Sequence, residues 1–133
     1  MTQTRPELTK SIKILIVEDD EDMRGLLVET VNRLGYPAVA TDKAKEALSS
    51  IERGDADLIM LDLKMPGVGG LELLKVIRRR HFSIPVIVVS SFISQDVAKA
   101  LAATGVRGMV AKPFKQDRLE EELDRVATRY FGN

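Results

Sequence analysis

The stretch IKILIVEDDEDMR, residues 12–24, decides the fold because an apolar run ends abruptly in acids and a helical pattern begins at once. The run from Ile12 to Val17 is apolar apart from one lysine, which predicts a strand buried on both faces. From about Glu21 to Leu34, apolar residues recur at helical spacing, and Gly35 follows as a helix stop. A buried strand leading directly into an amphipathic helix is typical of a βα unit.

The rest of the chain repeats this alternation. Further strands are predicted at Ala38–Ala40, Leu58–Leu61, Val86–Val89 and Arg107–Ala111, each followed by an amphipathic helix. Asp42 and Ser94 are the expected N-caps of the second and fourth helices. The pattern predicts an α/β fold in which a five-stranded parallel, doubly wound sheet carries five helices.

Length and composition limit the classes of protein and of chemistry that are possible. The 133 residues suffice for one domain, expected over residues 12–133, while the polar residues 1–11 are predicted to be a flexible leader. Lys+Arg and Asp+Glu are equal at 20 each, so no global charge favours nucleic acid or a membrane. Cysteine is absent, and no apolar run approaches the ~20 residues of a membrane span. A cytoplasmic location is expected.

Polar residues follow four of the predicted strands. Glu18 and Asp19 follow ILIV, Asp62 follows LIML, Ser90 follows VIVV, and Lys112 follows GMVA. Parallel strands end at one edge of the sheet, and open α/β sheets place their ligand sites there. The sequence therefore predicts that these distant residues share one pocket.

The charges in that pocket do not balance. Three carboxylates against one ammonium leave a net charge of about −2, and each like-charged pair at ~5 Å costs roughly 3 kcal/mol at an effective dielectric constant near 20. Either carboxylates take up protons or a divalent cation binds among them. Oxygen ligands with positions left for water favour Mg²⁺ over Ca²⁺, and a phosphoryl oxygen is the usual further ligand.

Four motifs carry a resemblance to a known family. ILIVEDDEDMR, LIMLDLKMPGVGG, VIVVSS and VAKPF stand in the order and at the spacings of the response-regulator receiver domain of two-component signalling, the CheY-like superfamily. The resemblance covers Ile12 to about Phe131. It implies a flavodoxin-like fold with strand order 2-1-3-4-5.

The resemblance also implies a role for each pocket residue. Asp62 resembles the phosphoacceptor, which takes a phosphoryl group from a kinase phosphohistidine. Asp19, Glu18, Asp62 and the backbone carbonyl of Lys64 would hold Mg²⁺. Ser90 and Lys112 match the hydroxyl and lysine residues that bind the phosphoryl group, and the Lys112-Pro113 bond matches one that the family holds cis. Such a chain is not an enzyme on other substrates and catalyses only its own phosphorylation and dephosphorylation.

The output step is where this sequence departs from the family pattern. Met109 stands where the family usually has Tyr or Phe, a switch residue that works with the hydroxyl residue, here Ser90. The expected partners are a histidine kinase or phosphotransfer protein and a downstream protein. The downstream protein would bind the face of the fourth helix, last strand and last helix, and phosphorylation could promote a dimer of an otherwise monomeric chain. Candidate face residues are Gln95, Lys99, Arg107, Met109, Lys115 and Leu119.

Three other functions are alternatives for a chain with this pattern. A haloacid-dehalogenase-type phosphohydrolase needs a second Asp where Lys64 stands. A flavin or nucleotide module needs a glycine fingerprint after the first strand, and acids stand there instead. A receiver-like scaffold that binds partners without phosphorylation remains the alternative.

Overall fold

The five βα units predicted from the sequence are present in a computed structural model, which describes residues 12–64, 69–80, 83–91 and 93–132. The strands are β1 Ile14–Val17, β2 Ala38–Thr41, β3 Leu58–Leu61, β4 Val86–Ser90 and β5 Gly108–Ala111. The helices are α1 Glu21–Arg33, α2 Ala44–Glu52, α3 Gly70–Arg80, α4 Gln95–Ala103 and α5 Gln116–Phe131. Predicted and observed boundaries agree to within about two residues. The expected leader, residues 1–11, lies outside the described residues.

The strands form one parallel sheet in the order β2-β1-β3-β4-β5, as predicted. The three central strands are buried along most or all of their length, as their nearly unbroken apolar sequences require. β2 and β5 lie at the two edges and are partly exposed.

Two apolar layers cover the sheet. One lies against α1 and α5, and the other against α2, α3 and α4. Helices on both faces make the fold doubly wound and leave the carboxyl ends of the strands as the open edge where a site can form. Among the described helices, none combines the length and apolar character that crossing a bilayer requires.

Glycines follow the ends of three helices and a serine caps the start of one of them, while one expected cap is not observed. Gly35, Gly54 and Gly105 adopt positive φ angles of 100°, 75° and 79° after α1, α2 and α4. Ser94 caps α4 by accepting a hydrogen bond from the Val97 amide. The expected cap Asp42 is wrong: α2 has Lys43 at its N-cap position, without a capping side-chain bond.

Candidate functional site

Backbone hydrogen bonds extend the sheet by one residue beyond the strand ends, at the positions that carry the polar side chains. The Glu18 amide donates to the Thr41 carbonyl over 3.0 Å, and the Asp62 amide donates to the Val17 carbonyl over 3.0 Å. On the other side, the Lys112 amide donates to the Ser90 carbonyl over 2.9 Å. The site residues are therefore held by the rigid sheet, which positions them more firmly than a free loop would.

Three carboxylates lie together at this edge. One oxygen from each of Glu18, Asp19 and Asp62 lies within 4.8 Å of the others. Glu18 is 1% exposed and Asp62 is 5% exposed, while Asp19 is half-buried. Hard oxygen donors at this separation fit a small divalent cation, and a half-buried ligand leaves an approach from solvent.

Lys112 brings the one positive charge that contacts these buried acids among the described residues. Its Nζ lies 2.6 Å from Glu18 Oε1 and 3.5 Å from Asp62 Oδ2. The Lys112-Pro113 peptide bond is cis, as the family resemblance implied. One ammonium thus bridges two acids that come from different strands.

Burial determines the protonation of Glu18. It raises the pKa of the Glu18 carboxyl from 4.5 to about 7. Hydrogen bonds from Lys112 and the Asp20 amide oppose that rise in pKa, and the adjacent Asp62 adds to it. Burial thus favours proton uptake by Glu18, one of the two ways to relieve the charge imbalance predicted from the sequence.

The Asp62 side chain is oriented by the chain that follows it. Its Oδ1 accepts a hydrogen bond of 3.1 Å from the Lys64 amide. The role expected for the Lys64 carbonyl as a metal ligand stays a prediction. Met65–Val68 of the following loop lie outside the described residues.

Gly70 is a site residue that sequence reasoning missed. A Cβ at this position would lie 2.1 Å from the Asp62 carbonyl oxygen and 2.5 Å from the Leu63 Cα, so only glycine fits. The Gly70 amide also donates to the Leu63 carbonyl over 3.0 Å. No role was predicted for Gly70 from the sequence, although two consecutive glycines directly before the helix after Asp62 are a signal of close approach.

Arg24 was missed as well. Its guanidinium donates to the Glu18 carbonyl over 3.1 Å and to the Asp19 carbonyl over 3.4 Å. It therefore ties the first turn of α1 to the backbone that carries two of the acids. An arginine near a helix start has no sequence signature for this role, because its partners are backbone carbonyls.

The predicted switch residues lie on adjacent strands at this end of the sheet. Ser90 is fully buried as the last residue of β4 and is paired with Ala111 of β5. Met109 of β5 is half-buried, and its side chain packs against the core layer of α2, α3 and α4. Its amide donates to Glu122 Oε2 over 2.9 Å, a contact that the sequence did not predict.

The predicted partner face is exposed at four of its six candidate residues. Gln95, Lys99, Arg107 and Lys115 are exposed, and Met109 is half-buried. Leu119 is fully buried in the core layer between the sheet and α5, so its assignment to the face is wrong. Its apolar side chain belongs to the packed side of the helix.

Comparison with known proteins agrees with this fold. Residues 14–124 match the family model described as "Response regulator receiver domain". The chain is 34% identical over 127 residues to chemotaxis protein CheY-3 of Vibrio cholerae serotype O1, covering 92% of this chain and 96% of that protein. It is 33% identical over 124 residues to chemotaxis protein CheY of Pseudomonas aeruginosa, covering 91% and 100%.

Larger regulators and solved structures are similar over the same region. Response regulator protein FleR of Pseudomonas aeruginosa is 35% identical over 120 residues, which are 90% of this chain but 25% of that protein. The signal receiver domain of a putative Luxo repressor protein from Vibrio parahaemolyticus has a TM-score of 0.84 at 28% identity, covering 90% of this chain and 92% of that one. The chain belongs to the response-regulator receiver domain family of two-component signalling.

Proposed function

We propose that this receiver domain accepts a phosphoryl group on Asp62 in a Mg²⁺-dependent reaction and changes its partner-binding surface in response. The observation that carries the proposal is the buried Asp62 carboxylate, which lies beside two further acids and 3.5 Å from the Lys112 ammonium. Additional carboxylates beside a buried Asp destabilise its charged form. They are useful if the three acids together hold a cation that also binds the incoming phosphoryl group.

The reaction is a displacement at phosphorus. An Asp62 oxygen forms the new bond to phosphorus while the bond from phosphorus to a donor histidine nitrogen breaks, and the nitrogen keeps the electron pair. Asp19, Asp62, Glu18 and the Lys64 carbonyl would hold Mg²⁺, which when bound neutralises charge on the phosphoryl oxygens. The product is an acyl phosphate on Asp62.

Lys112 and Ser90 then bind the transferred group. The Lys112 ammonium has three N–H bonds, so it can keep its contact with Glu18 and still donate to a phosphoryl oxygen. Ser90 would donate its hydroxyl. The domain would thus catalyse its own phosphorylation and dephosphorylation without acting on other substrates.

The donor would be a histidine kinase or a phosphotransfer protein, and the output would be contact with a downstream protein. The exposed residues of α4, β5 and α5 are the proposed output face, where phosphorylation could also promote dimerisation. Binding there can shift only if the phosphorylated state makes different contacts, and the new bonds to Ser90 and Lys112 supply them. The cytoplasmic location stays a prediction.

A direct test compares wild type with Asp62→Asn by intact mass after exposure to a small phosphodonor. The wild type should gain one phosphoryl group only when Mg²⁺ is present, and the variant should gain none. An Asp57→Asn variant is a suitable control, because Asp57 is an acid outside the site. Failure of the wild type to gain the group would instead favour a scaffold that works without phosphorylation.

A further inference from the structure

The outer edge of β5 is closed by side chains from α5. The Met109 amide donates to Glu122 Oε2 over 2.9 Å, and the Met109 carbonyl accepts from Arg118 Nη2 over 3.1 Å. One residue before the strand begins, the Arg107 carbonyl accepts from Arg125 Nη2 over 2.9 Å. Backbone groups that would bind another strand in the middle of a sheet are bound here by one carboxylate and two guanidinium groups.

Glu122 is the centre of this network. Arg118 Nη1 lies 3.2 Å from its Oε1, while Arg125 donates to Oε1 and Oε2 over 3.0 Å each. Glu122 is buried, whereas the Arg118 and Arg125 side chains are 51% and 54% exposed. The carboxylate therefore joins the backbone of the sheet edge to two cations on the surface.

The protein makes room for this carboxylate. A Cβ at Gly108 would lie 2.9 Å from Glu122 Oε2 and 3.1 Å from Val126 Cγ2, so a larger residue there would push Glu122 away. Burial would raise the pKa of Glu122, but hydrogen bonds from Arg125 and the Met109 amide, with the charge of Arg125, lower it. Glu122 is therefore an ionised group whose two oxygens are both bound in place.

The same strand leads to the phosphorylation site. Lys112 follows β5 directly, three residues after Met109, and its amide is bonded to the Ser90 carbonyl. The four-residue strand β5 therefore joins the residue that would contact a phosphoryl group to the residue whose amide is bound by Glu122. The Met109 side chain packs against the core layer that also contains residues of α4, while its amide is bound to Glu122 of α5.

We propose that Glu122 is the positioning residue that passes the phosphorylation state of Asp62 from β5 to the exposed arginines of α5. The inference rests on the proposed phosphorylation of Asp62. In this chain the link to the output face would run through the Met109 backbone and a carboxylate, rather than through rotation of an aromatic side chain. A shift of β5 would then displace Arg118 and Arg125, and with them the charge pattern that a partner meets.

The test separates this role from a purely structural one. Glu122→Gln keeps an acceptor for the Met109 amide but removes the charge that holds the two arginines. Glu121→Gln is the matched control, since Glu121 is the exposed neighbour on the same helix. Each protein is phosphorylated with a small phosphodonor and Mg²⁺, the adduct is measured by intact mass, and amide hydrogen exchange of α5 is compared before and after.

We expect equal adduct formation in wild type and both variants. The change in α5 exchange on phosphorylation should be as in wild type for Glu121→Gln and at least about threefold smaller for Glu122→Gln. An undiminished change in Glu122→Gln would overturn the inference while leaving the proposed function intact. A wild type that takes up no phosphoryl group would overturn both.

A second variant tests the proposal in case Glu122→Gln does not fold. Arg125→Gln removes one exposed partner and leaves Glu122 bonded to Met109 and Arg118. It should also reduce the response of α5 to phosphorylation without reducing the adduct. A full response in this variant together with misfolding of Glu122→Gln would show that the network is only structural.

Discussion

Lys112 makes the burial of two neighbouring carboxylates tolerable. Glu18 and Asp62 are both nearly inaccessible to water, and the Lys112 ammonium contacts both. Without a counterion, each buried charge would carry a desolvation cost of several kcal/mol. Even with Lys112 in place, Glu18 keeps a pKa of about 7, so the compensation is incomplete and the cluster still favours a further positive charge.

Removing the ammonium should therefore affect phosphoryl transfer. Lys112→Met keeps the aliphatic stem but cannot donate to a phosphoryl oxygen, and we expect transfer from a small phosphodonor to slow by roughly 10²-fold. Lys45→Met, at an exposed site on α2, is the control and should react at the wild-type rate. The measurement is a time course of adduct mass. A Lys112→Met rate within about twofold of wild type would contradict the role of Lys112.

Some site residues can be predicted from the sequence because they follow a strand, whereas others are recognised only from their tertiary contacts. Glu18, Asp62, Ser90 and Lys112 were brought together by sequence reasoning because each follows an apolar run that is readable as a strand. Glu122 was not recognised, since it stands in a run of three glutamates that looks like a solvated surface. Glu122 lies three residues after the buried Leu119, and this helical spacing places both residues on the packed side of α5.

At the scale of elements, two glycines in helices have opposite roles. Gly70 begins α3 against the backbone of Asp62 and Leu63, at a distance that excludes any side chain. Gly25 lies within α1, where a Cβ would meet nothing within 4 Å. The first glycine permits a close contact between elements, and the second only adds conformational freedom to the unfolded chain.

Alanine substitutions should separate these roles. Gly70→Ala should lower the free energy of unfolding by about 2 kcal/mol, because the loop after Asp62 must move to admit the methyl group. Gly25→Ala should raise it by about 0.5–1 kcal/mol through helix propensity. Urea denaturation measures both. Equal effects of the two substitutions would show that the close packing at Gly70 is not rigid.

Helix starts illustrate which local features the sequence can predict. Ser94 was correctly predicted as a cap, since its side chain accepts a hydrogen bond from the Val97 amide. Asp42 was not the cap of α2: the helix begins one residue later than expected, with Lys43 at the N-cap position and no side-chain cap. The Asp42 carboxylate instead accepts from Lys43 Nζ over 3.1 Å, a local side-chain contact that propensity alone does not reveal.

At the scale of the whole molecule, one apolar layer contains a buried hydroxyl group. Tyr36 is fully buried beneath α1 and α5, and its hydroxyl has no hydrogen-bond partner within the described part of the chain. Burial, with a smaller contribution from the charge of Asp124, raises the pKa of Tyr36 from 10.0 to about 12. The folded state therefore keeps a proton that the unfolded chain loses earlier.

This difference predicts how stability depends on alkaline pH. Between pH 10 and about 12 the folded state binds more protons at Tyr36 than the unfolded state, so the free energy of unfolding falls as pH rises. Tyr36→Phe should remove that part of the slope and, near neutral pH, raise stability by about 1 kcal/mol because the unpaired hydroxyl is gone. Tyr130→Phe, on the exposed part of α5, is the control and should leave the stability near neutral pH unchanged. Urea denaturation at several pH values measures both effects, and a slope unchanged by Tyr36→Phe would contradict this account.

The central claim is that Asp62, and no neighbouring acid, carries the phosphoryl group. Borohydride reduction of the phosphorylated protein converts an acyl phosphate into an alcohol, and peptide mapping then locates the reduced residue. The account predicts reduction at position 62 in a sample treated with phosphodonor and Mg²⁺, and none when Mg²⁺ is omitted. Reduction at Glu18 or Asp19, or equal labelling without Mg²⁺, would contradict it.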